Sequence, residues 1–331
     1  MATLSANNLT IADVTRTIDP KGDAAVIAEV LNKRRSFVQD VQWKAGNLHQ
    51  GNRTTQRTSL PTVSAAIANQ GTTPGKTTSV QIDDACAVFR TVSVIDKIVA
   101  EFAGQLAANR ANEAKGHIEA LGQKLETTFF YGSPSVPEEF TGLANRYNSL
   151  SGTMADNVIT GGGVGADNTS VWFVQHGEGM VMGIYPTGTS GGLQLLDEGL
   201  TTIVDTAGVG GAVFPGYRAY YTWFCGLAVE DWRSVVRIPN IDISALVTKA
   251  SAADLSEKMI AAIEAVPNPE MGGVFYMNRT VRKMLGIQQR DDVGTGGGLT
   301  YENVDGKRVL MFQGFPVRIS DELVNNEALV A

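Results

Sequence analysis

Histidine and cysteine are scarce in this chain, with three His and two Cys in 331 residues. Cys86 and Cys225 stand far apart, which excludes a disulfide scaffold or a Cys-rich metal module and fits a reducing compartment. Charge is thin too: 18% of residues, against roughly 25% in an average globular protein. Such a chain is not a charged, disordered one. The 27 basic and 34 acidic residues leave a net charge of −7, so nucleic acid is not an obvious ligand of the whole surface. No apolar run reaches the ~18 residues that a membrane span needs. The start, MATLSANNLTIADV, has neither the basic nor the apolar region of a signal peptide. Little material is left for acid–base chemistry.

What is present is 43% hydrophobic residue and 36 Gly, in a length that allows one large domain or two. The spacing of Ile27, Val30, Leu31, Phe37, Val38 and Val41 predicts a helix over 24–41. Its Lys33-Arg34-Arg35 triplet reads as a solvated face or as a contact for acidic protein or nucleic acid. Residues 44–81 are rich in Thr, Ser, Asn, Gln and Gly. A structureless loop of that length inside a compact domain is uncommon. Its arms, RTTQRTSLPTVS and TTSVQIDDACAVFRTVSV, alternate partly as strands do, and the tip QGTTPGK carries turn signals. A lone two-stranded excursion is marginal in water, so this one needs a neighbouring subunit to lie on.

Residues 94–131 carry the longest helical pattern, running from Ile95 and Ile98 to Leu125 and Phe129. A helix of that length would span about 57 Å. It stops at YGSPSVP. From about 170 to 240, VWFVQ, GMVMGIY, TTIVDT, YRAYYTWFCGLAV and RSVVRI read as closely spaced strands, which argues for an antiparallel sheet. Then follow a helix over 251–266, a strand GVFYM and a helix NRTVRKMLGIQQ capped by Asn278. A hairpin YENVDGKRVLMF turning at Asp305-Gly306 and a segment FPVRIS end the series. The class is α+β, without the βαβ alternation of a doubly wound sheet.

Five patterns invite chemistry or binding and are set aside. Gly188 to Gly192 spells G-x-S-x-G around Ser190, but His49, His117 and His176 all precede it, against the order of an elbow hydrolase. QGTTPGKT, residues 70–77, has Gln70 where a phosphate loop has its first Gly, and a strand pattern follows where a helix is required. His117-x-Glu119 and His176-x-Glu178 match half a zinc deaminase signature, and the Pro-Cys-x-x-Cys half is missing. The pairs Asp83-Asp84 and Asp291-Asp292 are adjacent, so in a strand neither points both carboxylates one way. The aromatic run Tyr217, Tyr220, Tyr221, Trp223, Phe224 and Trp232 suits core and subunit packing better than base stacking. No catalytic, cofactor-binding or metal-binding residue is predicted.

The run GMVMGIYPTGTSGGLQLLDEGL and then YRAYYTWFCGLAVEDWRSVVRIPNIDIS closely resembles a family of tailed-bacteriophage major capsid proteins. The later GVFYMNRTVRKMLGIQQRDD…LMFQGFPVRISDEL is similar to that family's C-terminal part. The resemblance covers roughly residues 90–325. It implies the Hong Kong ninety-seven type capsid fold: an N-terminal arm (1–43), an extended loop or E-loop (44–92), a spine helix with a mostly antiparallel β region in a peripheral domain (93–240), and an axial domain (241–331) whose last strand returns to the peripheral domain. Further implications are a self-assembling icosahedral shell of hexamers and pentamers around double-stranded DNA, held without sequence-specific binding. Portal and scaffolding or decoration proteins are the other partners, no membrane is involved, and assembly takes place in the host bacterial cytoplasm. Candidate inter-subunit contacts are Arg34, Arg35, Arg53, Arg57, Gln70 and Lys76. Some relatives crosslink Lys to Asn, but nothing identifies a partner for Lys76, and no crosslink is predicted. An encapsulin-like compartment, a serine hydrolase using Ser190 and a monomeric binding module are the alternatives.

Overall fold

The structure is a computed structural model, described over residues 33–69, 71–152, 154–204, 212–249, 253–291, 299–304 and 307–331. Most of the expected 24–41 helix, Gln70, residues 251–252, Asp292 and the Asp305-Gly306 turn lie outside the described residues. Of that first helix, α1 (Ser36–Asp40) is described.

Next come β1 (Trp43–Ala45), β2 (Gly51–Ser59) and the long β3 (Thr78–Asp96). A short α2 (Lys97–Ala100) leads to α3 (Leu106–Tyr131), and α4 (Leu143–Arg146) follows. The β region holds β4 (Asn168–Val174), β5 (Val181–Tyr185), β6 (Leu193–Val204), β7 (Val213–Val229) and β8 (Val235–Asp242). Last are α5 (Ile243–Thr248), α6 (Leu255–Ala265), β9 (Val274–Met277), α7 (Arg279–Asp291), β10 (Leu299–Val304), β11 (Lys307–Phe312) and β12 (Phe315–Ile319).

Two six-stranded sheets result. The first runs β1-β5-β7-β3-β2, with β6 also paired to β7; the second runs β10-β11-β12-β9-β4-β8. The strands expected between 170 and 240 therefore divide: β5, β6 and β7 join the first sheet, β4 and β8 the second. The expected boundary at 240 falls inside β8, whose sheet draws strands from both sides of it. Alternation of apolar residues fixes which face a strand buries, but not which sheet it joins. Pairing is antiparallel except at β1–β5 and β12–β9.

One apolar cluster lies between the sheets, where α3 supplies Leu121, Leu125, Phe129 and Phe130. Phe37 sits at its centre, its ring 5.1 Å from Phe129 and 5.2 Å from Tyr276. A second cluster lies behind the second sheet, where Val171, Phe173 and Phe275 meet Leu246, Met259 and Leu285 of the helices. β4 is buried along its whole length because alternate residues serve the two clusters.

The long helix begins at Leu106, not at 94, and has 26 residues. Its expected first turns are the end of β3, where Val94 to Asp96 pair with Gly216 to Arg218 of β7. Gly104, at φ +69°, then breaks the chain direction. Asn278 Oδ1 accepts from the Val281 amide at 2.8 Å at the start of α7, as expected, and β10 and β11 pair antiparallel in the last hairpin.

Candidate assembly interface

β2 and β3 form the two arms of the excursion, paired from Gly51–Ala85 out to Ser59–Thr78. Their base is tight: a Cβ on Gly51 would lie 1.9 Å from the Asp84 carbonyl oxygen. Beyond Ser59 the described residues up to Thr77 form no strand or helix, and all are exposed. The two sides stay together, since a Cβ on Gly75 would sit 2.9 Å from the Pro61 Cβ. Val63 is 91% exposed, Leu60 74% and Ile67 67%. Isolated exposed apolar residues are common. A loop that carries three large ones and has no core of its own is not stabilised within the subunit.

The first sheet offers a matching surface. Its inner face is covered by α3: His117 stacks on Tyr221 with ring centroids 5.8 Å apart and is hydrogen-bonded through Nδ1 to Thr91 Oγ1 at 2.7 Å. Cross-strand partners share a face. Val88 opposite Phe224, and Val92 and Leu196 opposite Tyr220, therefore point the other way, where no helix lies among the described residues. Leu196 is 61% exposed there. A shallow hollow of about 570 Å³ lies between Arg90, Leu196, Glu198, Tyr220 and Phe224. An antiparallel sheet facing water shows polar residues on that side; this one sets Val88, Val92, Leu196, Tyr220 and Phe224 among Arg90, Gln194, Glu198 and Thr222.

The six candidate contacts separate. Arg53 is engaged within the chain: its Nε and Nη2 each lie 2.6 Å from an Asp83 carboxylate oxygen across the hairpin. Arg57 and Lys76 are exposed on the loop, and no carboxylate pairs with them among the described residues. Gln70 lies outside the described residues. Arg35 holds the N-terminal segment to α3, with Nη2 2.7 Å from Glu119 Oε2 and the guanidinium laid over Gly122. The Arg34 amide donates to Asp321 Oδ2 at 2.9 Å, and among the described residues its side chain makes no ion pair.

Asp83 and Asp84 point apart, as expected of strand neighbours. Asp84 is buried and takes the Arg146 Nη2 at 2.7 Å. That ion pair joins the loop's base to α4 and was invisible in sequence, because its members lie 62 residues apart.

Among the described residues, the side chains behind the enzyme reading lie apart. Ser190 is exposed in the turn between β5 and β6, and no His bonds to it among the described residues. His176 Nε2 lies 2.8 Å from the Tyr276 hydroxyl, and burial pushes its pKa down to about 4. Cys86 and Cys225 are free thiols, and burial raises both, Cys86 to about 11. Thiols so raised are poor nucleophiles. Among the described residues, no group of three or more His, Cys, Asp or Glu is placed to hold a metal ion.

A family model described as major capsid protein GP7 matches residues 19–331. No curated protein matches the chain. Among solved structures, the chain is similar to one from the cryo-EM structure of bacteriophage Epsilon15, with 31% identity and a TM-score of 0.76 over 100% of this chain and 99% of that one. It is distantly similar to the SrpI encapsulin of Synechococcus elongatus PCC 7942, at 13% identity and TM-score 0.43, covering 72% of this chain and 92% of that one. The capsid of a native GTA particle gives 10% identity and TM-score 0.46, covering 71% and 99%.

Proposed function

Since the chain belongs to the major capsid protein GP7 family, we propose that its subunits close their shell by laying residues 60–77 of one copy across the open face of the next copy's first sheet. The chain is a bacteriophage major capsid protein with the Hong Kong ninety-seven type fold, and its work is self-assembly into an icosahedral shell. One observation carries the docking mode: the loop exposes Leu60, Val63 and Ile67, and the sheet exposes Val88, Val92 and Leu196.

Burying one such side chain stabilises by about 1.5–3 kcal/mol, so three give roughly 5–9 kcal/mol. Association of two proteins costs about 4–15 kcal/mol in lost freedom. A single loop contact therefore does not hold a pair together. Closure into rings and then a shell lets many such contacts act at once. Subunits remain separate at low concentration and commit together.

The reading extends to the particle. The segment 1–43 acts as the arm and 44–92 as the E-loop, with a peripheral part built on the first sheet and an axial part on the second. Arg57, Lys76 and Gln70 meet neighbouring copies, while Arg34 and Arg35 fasten the arm. Portal and scaffolding or decoration proteins complete the head, which encloses double-stranded DNA and forms in the bacterial cytoplasm. Two free thiols suit that reducing setting.

Ser59 and Thr78 are paired, so a two-residue Asn-Gly turn can replace residues 60–77 without opening the hairpin. That deletion is expected to give a folded, soluble subunit and no shells by negative-stain electron microscopy. Shells of normal size from it would overturn the docking mode.

A further inference from the structure

Where the N-terminal segment crosses the second sheet, a cleft of about 380 Å³ opens between residues 33–39, α7, β11 and β12. Six of its lining residues are basic: Lys33, Arg34, Arg35, Arg282, Arg308 and Arg318. Among the described residues, no carboxylate lines it. This concentration occurs in a chain whose net charge is −7.

The neighbouring acids are already committed. Glu119 takes Arg35 at 2.7 Å, Glu322 takes Lys33 at 3.0 Å, and Asp321 takes Arg279 through two bonds of 2.6 and 2.7 Å. Asp40 reaches Arg318 Nη2 only at 3.4 Å, and the Arg318 Nε is buried with no acceptor. Arg34 and Arg282 have no carboxylate partner among the described residues. Arg308 has its guanidinium stacked 3.7 Å over the Tyr301 ring, which leaves its N–H edge open. Burial, with the like charges of Arg34 and Arg279, holds the Arg282 pKa below its ordinary value. Like charges collected without counter-charge oppose folding unless an anion joins them.

We propose that this cleft is a phosphate-binding site, occupied in the particle by backbone phosphates of the enclosed nucleic acid; the occupant rests on the capsid reading above. Arginine forks match phosphate oxygens in pairs. One acidic side chain brings a single charge and would leave most of the guanidinium groups unmatched. A nucleic acid strand brings one charge about every 3.4 Å, so successive phosphates serve several of them. The contact is independent of sequence, because cations on phosphate position a strand without reading its bases. An acidic subunit would thus touch its contents at one defined point and repel them elsewhere.

The test is titration of a short fluorescein-labelled DNA duplex with the full-length protein, followed by anisotropy at several salt concentrations. Three phosphate contacts predict a log–log salt slope near −2.7, at about −0.9 per contact. Arg34→Gln/Arg282→Gln/Arg308→Gln is expected to weaken binding by about tenfold or more and to flatten the slope by about 2 to 3. Arg34→Gln/Arg308→Gln, at two exposed positions, keeps the test open if the Arg282 substitution impairs folding. Lys115→Gln/Lys258→Gln, outside both the cleft and the loop, is the control and is expected to shift affinity less than about twofold. An equal loss in the control, or an unchanged slope in the cleft variants, overturns the site. Displacement of the duplex by inorganic phosphate supports it. A polyglutamate peptide that competes as well as the duplex overturns the nucleic acid occupant in favour of an acidic protein segment. Phosphate binding without duplex binding overturns that occupant in favour of a free anion. Should the wild-type protein form no shells in the microscope, the capsid reading fails, while the duplex titration still decides the cleft.

Discussion

The guanidinium of Arg237 and the carboxylate of Glu327 meet inside the protein, with Nη2 2.8 Å from Oε2 and each side chain only 4% exposed. Arg237 also donates to the Tyr147 carbonyl at 2.8 Å and to Ser170 Oγ at 3.0 Å, and it lies 5.1 Å from the Trp172 ring centre. Glu327 accepts from the Tyr131 hydroxyl at 2.6 Å and from Ser170. One buried pair thus holds β8, β4, the end of α3 and the C-terminal segment together.

Removing one member leaves the other charged, buried and unpaired, which costs about 3–5 kcal/mol. Glu327→Ala is expected to lower the stability of the unassembled subunit by that amount in urea unfolding. The double variant Arg237→Met/Glu327→Leu is expected to lose less than Glu327→Ala alone, because neither charge is stranded.

A pH dependence follows from Glu126. It is fully buried, with Oε1 accepting from Ser320 Oγ at 2.5 Å and Oε2 from the Val38 amide at 3.3 Å. Burial outweighs those bonds and pushes its pKa from 4.5 up to about 7. A carboxyl raised on folding stabilises fully below its unfolded pKa, and that contribution is lost as pH rises from 4.5 through about 7. The loss is on the order of 3 kcal/mol. His176 acts in the other direction: depressed from 6.5 to about 4, it removes stability as pH falls through that window. Urea midpoints between pH 4 and 8 are expected to fall on the alkaline side in the wild type. Glu126→Gln is expected to abolish that fall while keeping the acid-side loss.

The loop and the open sheet face predict matched phenotypes. Val63→Asp/Ile67→Asp on the loop, or Leu196→Asp on the sheet, is expected to abolish shells in electron micrographs. Subunit stability is expected to shift by no more than about 0.5 kcal/mol, since these are exposed positions away from the core. A large fall in the urea midpoint would mean that the side chains serve the subunit and not the contact.

The loop cations are not equivalent. Arg53 already has its carboxylate, whereas Arg57 and Lys76 have none among the described residues. Arg57→Glu and Lys76→Glu are expected to raise the protein concentration needed for assembly severalfold, more strongly at low salt, as read by light scattering. Arg53→Ala is expected to leave that concentration near the wild-type value.

Local chemistry was legible in the sequence. The alternating arms of the hairpin, the Asn278 cap and the pairing of β10 with β11 all follow from short-range patterns, and the structure keeps them. The start of the long helix was not, because Ile95, Ile98, Val99 and Phe102 fall at helical steps while the first of them ends a strand and Gly104 turns the chain. The division of the strands between two sheets was equally hidden, since β4 and β8 carry the same apolar signal as β5 and β7. Least visible were the polar hubs. Arg237 and Glu327 are 90 residues apart, and the basic cleft is assembled from residues near 34, 282, 308 and 318. Of that cleft only the Lys33-Arg34-Arg35 triplet stood out.

β3 is a single strand that begins beside the exposed loop and ends under α3, with Cys86 to Asp96 lying antiparallel along Gly216 to Gly226. Its direction decides how the shell answers tension. A neighbour that pulls on the loop draws β3 along its own axis, so the bonds to β7 are sheared together instead of being peeled in turn. Internal pressure on a closed shell would accordingly be passed from subunit to subunit as stretching of paired strands, with no hinge to give way between the grip and the core.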